Sequence, residues 1–94
     1  MPWQRPIFSF TADTVARLAP ASAGVYVLWR TGRWVYAGTT DNIRARLLSL
    51  LNGDNESIAR EQPTEFGYEL IPGDVERRVA RCDELIRELA PICR

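Results

Sequence analysis

Residues 24–38 read GVYVLWRTGRWVYAG. Two runs rich in valine and aromatic residues, GVYVLWR and RWVYAG, flank Thr31-Gly32, the pattern of a β-hairpin. The register decides whether its two tyrosines share a face. A two-residue turn pairs 30 with 33 and sends Tyr26 and Tyr36 to opposite faces. A three-residue loop, Arg30-Thr31-Gly32, pairs 29 with 33 and sets Tyr26 opposite Tyr36. Such loops end in a left-handed residue, where glycine is favoured, and Gly32 sits there. The second register is therefore the expectation. It collects Val25, Val27, Trp29, Val35 and Ala37 on one face, and Gly24, Tyr26, Leu28, Trp34, Tyr36 and Gly38 on the other. Glycine weakens a strand unless something comes close to the backbone there. The tyrosine face offers hydroxyls and room for a ligand; it would serve equally as a half-buried aromatic surface beneath a helix.

Outward from the hairpin, Thr11 caps a short helix from about Ala12 to Leu18, stopped by Pro20, with Phe8, Phe10, Val15 and Leu18 as anchors to the core. Residues 41–51, DNIRARLLSLL, form a helix capped by Thr40 or Asp41 and ended by Asn52-Gly53. Residues 54–64 are polar, with room for a helical turn. A third strand spans about 65–71, and a helix of about four turns runs from Asp74 to near Pro91. In that last helix Val75, Val79, Cys82, Ile86 and Leu89 have the spacing of a buried stripe. The order α-β-β-α-β-α implies an α/β fold: a small three-stranded antiparallel sheet flanked by helices, one domain over residues 1–94.

Composition narrows the chemistry. The sequence has no histidine, which removes the usual general base and the commonest metal ligand. Its twelve basic residues are all arginine, the side chain suited to bidentate phosphate contacts. Net charge is zero, but residues 1–53 hold six arginines against Asp13 and Asp41, while residues 54–94 hold six against ten acids. The first half could meet a phosphate backbone, without a polybasic arm, or the two halves could simply neutralise each other once folded. No apolar run is long enough to span a membrane, and the N-terminus lacks a signal-peptide layout. With Cys82 and Cys93 as the only cysteines, the expectation is a reduced, cytoplasmic protein without a membrane partner.

One arginine is out of place. Ile43, Leu47 and Leu50 form the apolar stripe of their helix, and Arg46 falls inside it, whereas Arg44 points away. A guanidinium along an apolar face either snorkels to water or faces a site that takes an anion.

Gly24-Val25-Tyr26, a nine-residue gap, Tyr36-Ala37-Gly38, then Asn42 and Arg46 resemble the GIY-YIG nuclease superfamily. The spacing of Leu85-Ile86 to Pro91 is similar to that family's C-terminal helix. The resemblance implies DNA as partner and one divalent cation, Mg²⁺ or Mn²⁺, in an active member. It implies catalytic roles for Tyr26, Tyr36 and Arg46, with Tyr26 or Tyr36 helping to activate water and Arg46 holding the scissile phosphate. Gly24, Gly38, Asn42 and Arg44 would border the substrate.

The chain departs from the family at three polar positions. The metal's glutamate, three residues before Leu85-Ile86, falls on Cys82; the family asparagine falls on Arg94; a His or Tyr one turn past the arginine falls on Leu50. A lone thiol is a poor magnesium ligand. Asp83, Glu84, Glu88 and Glu69 are the candidate replacements. Two readings result. One is a catalytically weakened or inactive domain that binds nucleic acid or a protein through the former active-site face. The alternative is an active metal-dependent DNA endonuclease with a relocated metal ligand.

Overall fold

A computed structural model describes Trp3 and residues 5–93. In chain order the elements are β1 (Phe8–Ser9), α1 (Ala12–Leu18), β2 (Gly24–Arg30), β3 (Arg33–Thr40), α2 (Ile43–Leu51), α3 (Glu56–Glu61), β4 (Glu65–Leu70) and α4 (Val75–Leu89). The α/β architecture is as expected, with one strand more. The strands form an antiparallel sheet in the order β1-β4-β2-β3. The additional strand, β1, pairs Phe8 with Phe66 and Ser9 with Glu65. Two residues are too few to show a strand period.

The hairpin corrects the expected register. Thr31 (φ 40°) and Gly32 (φ 78°) both lie in the left-handed region, so the turn has two residues and Arg30 pairs with Arg33. The pairing then shifts between Leu28 and Trp29, which leaves Val35 as an extra residue in β3. This bulge returns Tyr36 to the face of Tyr26, but diagonally: Tyr26 pairs with Gly38 and Leu28 with Tyr36. It also exchanges two side chains between faces. Val35 joins the core of Tyr26 and Leu28, while Trp34 packs with Trp29 and Trp3 on the other side.

Helices cover both faces of the sheet. On one, Val15 of α1, Ile43, Leu47 and Leu50 of α2, and Ile58 of α3 pack on Tyr26, Leu28, Val35 and Phe66. On the other, Cys82, Leu85 and Leu89 of α4 pack on Val25, Val27 and Ala37, with Trp3. The open edge of β3 is partly satisfied from outside. Ile92 and Cys93 donate backbone N–H groups to the carbonyls of Trp34 and Val35, and Arg78 donates to that of Thr40.

Several helix expectations shift. Thr11 does cap α1, accepting from the Thr14 N–H. The cap of α2 is Asn42, whose Oδ1 accepts from the Ala45 N–H at 3.0 Å, rather than Thr40 or Asp41. Leu18 is exposed. In α4 the buried stripe is Cys82, Leu85 and Leu89, with Val75 and Val79 exposed, because the face turned to the sheet centres near Leu85 and leaves both valines to its side.

Candidate functional site

Tyr26, Tyr36 and Arg46 meet on the α2 side of the sheet. β2 and β3 carry the tyrosines, whose ring centroids are 5.9 Å apart. α2 begins at Ile43, two residues after β3 ends and with Asn42 as its cap, so its first turn is fixed relative to Tyr36 and Gly38. Arg46 lies one turn in, and its Nε donates to the Tyr26 hydroxyl at 3.3 Å. That contact explains the arginine within an apolar stripe: the stem packs with the core and the head reaches a phenol.

The two tyrosines differ. Tyr26 is fully buried, and burial pushes its phenol up to about 12, with the Arg46 hydrogen bond opposing the rise. At neutral pH it is a neutral hydroxyl. Tyr36 is half-buried and nearer to solvent. The hydrogen bond to Tyr26 in turn raises the pKa of the Arg46 guanidinium, which stays charged.

The two glycines have packing reasons. A Cβ on Gly38 would lie 2.7 Å from both the Tyr26 hydroxyl and Cε2 of Tyr36; the rings occupy the space that the missing side chain leaves. On Gly24 a Cβ would lie 2.1 Å from the Glu69 carbonyl oxygen. Asn42 spends its side-chain oxygen on the helix cap, and Arg44 donates from Nε to the Ala19 carbonyl at 2.8 Å.

The carboxylates expected to stand in for a metal ligand lie elsewhere. Cys82 is buried against Ala37, the residue between Tyr36 and Gly38, with its thiol donating toward the Ala37 carbonyl at 3.7 Å. Burial, and then Asp83, raises its pKa and favours the neutral thiol. Glu69 shares the Val25 side of the sheet, facing α4, and is held by Arg5 and Arg81 at 3.3 and 3.2 Å. Glu84 is paired with Arg81, while Asp83 and Glu88 are exposed on α4. Leu50 is a core residue of α2, and Arg94 lies outside the described residues. Among the described residues no three His, Cys, Asp or Glu side chains gather as a metal-binding group. Magnesium takes oxygen donors at close range. A buried neutral thiol and ion-paired or outward carboxylates do not fit it.

Sequence reasoning missed Asp54. It follows the Asn52-Gly53 turn, its carboxylate accepts from the Ser49 hydroxyl, and its charge favours the ionised Arg46. The signal was available as Ser49, three residues past Arg46, followed by a turn that reverses the chain.

No protein-family model matches the chain, and no curated protein does either. Solved structures do. The magnesium-bound GIY-YIG N-terminal endonuclease domain of UvrC from Thermotoga maritima superposes with a TM-score of 0.71 at 26% identity, covering 84% of this chain and 89% of that one. A Tyr-to-Phe point mutant of the same domain, bound to its catalytic divalent cation, gives a TM-score of 0.71 at 25% identity over the same shares. With the hairpin, its two tyrosines and the helix arginine in place on that architecture, this chain has the fold of the GIY-YIG endonuclease domains.

Proposed function

We propose that this nuclease-related domain binds the phosphate backbone of DNA through Tyr36 and Arg46 and is catalytically weakened or inactive in cleavage. The observation that carries this reading is Cys82. In the resemblance that position supplies the metal's carboxylate, and here it holds a thiol buried against Ala37. Arg46 supplies the binding half: a permanently charged donor oriented by Tyr26, of the kind that holds phosphate oxygens. Tyr26 supports the same reading from the proton side, since a phenol near 12 takes no proton from water at neutral pH unless a cation lowers it. Both cysteines are free thiols, which supports a cytoplasmic location, and among the described residues no helix is long and apolar enough to cross a membrane.

The alternative, an active endonuclease with a relocated ligand, is favoured by the intact Tyr26–Tyr36–Arg46 arrangement. Plasmid nicking assayed with Mg²⁺ or Mn²⁺ separates the two. The expected outcome is no cleavage by the wild type, together with duplex binding in EDTA that falls about tenfold in Arg46→Ala. Metal-dependent nicking by the wild type that disappears in Arg46→Ala would establish the alternative. Binding unchanged by Arg46→Ala would remove DNA from this face and leave a protein as its partner.

A further inference from the structure

The segment after Arg46 carries a charged group that the phosphate-binding reading does not use. Ser49 follows Arg46 by three residues, so the two side chains are neighbours on the surface of α2. Beyond Leu51 the chain turns through Asn52 and Gly53, whose φ of 86° suits glycine, and folds back on the helix. The Asp54 N–H then donates to the Ser49 carbonyl at 3.3 Å, and the Ser49 hydroxyl donates to Asp54 Oδ2. Two contacts to one residue hold the carboxylate at the helix end instead of leaving it to sweep through solvent. Arg46 Nε is engaged by Tyr26, which leaves its Nη groups to meet an anion. The field of Asp54 at that guanidinium supports their proximity.

We propose that Ser49 and Asp54 form a carboxylate arm that weakens phosphate binding at Arg46 and so sets how tightly this face holds a polyanion. This rests on the reading of Arg46 as the phosphate contact. A negative charge fixed on Ser49, the helix neighbour of the arginine, repels an incoming phosphate, and the effect shrinks as salt screens it. The turn sequence Asn52-Gly53-Asp54 therefore acts as an affinity control built into α2.

The test is anisotropy titration of a fluorescein-labelled duplex with the full chain in EDTA. Asp54→Asn is expected to bind about threefold to tenfold more tightly at low ionic strength, with most of the gain lost at high salt. Ser49→Ala should shift affinity in the same direction and add nothing in an Asp54→Asn background. In Arg46→Ala, Asp54→Asn should have little effect, because the two sites are coupled. Glu76→Gln, the same charge change on the exposed first turn of α4, should leave affinity near the wild type. An Asp54→Asn protein that binds no more tightly while Arg46→Ala still weakens binding would overturn the arm and leave the phosphate contact standing. Equal gains from Asp54→Asn and Glu76→Gln would also overturn it, by showing a general charge effect. If Arg46→Ala changes nothing, the phosphate contact itself fails and the arm goes with it.

Discussion

A single hydrogen bond ties the unusual residues of this site together. Tyr26 is buried because its ring fills the space above Gly38, and its hydroxyl has Arg46 as donor. The phenol is raised from 10.0 to about 12. A raised folded-state pKa gives stability that is complete below the unfolded value and disappears as pH climbs through the folded one. The window is thus roughly pH 10 to 12, with about 2–3 kcal/mol at stake. Denaturant unfolding across that range should show a steeper loss of stability for the wild type than for Tyr26→Phe. Equal slopes would mean that Tyr26 ionises as readily in the folded protein as in the unfolded chain. Tyr26, Tyr36 and Arg46 were legible in the sequence as candidates, but the two-residue turn alone would part the tyrosines, and the bulge at Val35 is what returns them to one face. Their distinct protonation was not, since it depends on how deeply each ring is covered.

At the scale of elements, the hairpin shows what local chemistry can and cannot specify. Gly32 correctly marks a left-handed position, but its neighbour Thr31 adopts φ 40° as well, in a region β-branched residues avoid. Thr31→Asn should relieve that strain and raise stability by roughly 0.5–1 kcal/mol, read as a shift in denaturation midpoint with unchanged slope. No gain would indicate that the turn conformation carries little strain. The bulge at Val35 had no sequence signature. It is selected by packing, because it lets Val35 fill the α2 side while Trp34 meets Trp29 and Trp3 opposite. The helix caps were more readable, yet Asn42 displaced its neighbours at α2. Thr40 instead accepts the Asn42 N–H, so the two residues split the work at the strand–helix junction.

Across the whole molecule, the sheet separates two cores, and the site spans only one. Cys82 belongs to the other, beneath Ala37, where it is an apolar filler with a weak donor. Cys82→Glu, the substitution that restores a family-like carboxylate, would bring a charge into a position 8% exposed. It should therefore destabilise the protein by roughly 2–4 kcal/mol unless a divalent cation is present, read as a drop in Tm. A Tm unchanged without metal would show that the position opens readily to water. The resemblance sets Cys82 at the place of that family's metal-binding glutamate, but the sequence could not reveal what it packs against. The two-residue β1 and the exposure of Val75 and Val79 were equally hidden, since each depends on which distant strand or helix is adjacent. By itself the sequence determined the hairpin, the shared identity of its tyrosines, the arginine in the helix stripe and the absence of a carboxylate at position 82. Those features are carried by residue type and short-range spacing. Only the tertiary structure decided the strand register, the face that each side chain occupies and the state of Tyr26, because register and burial are set by contacts between residues far apart in the chain.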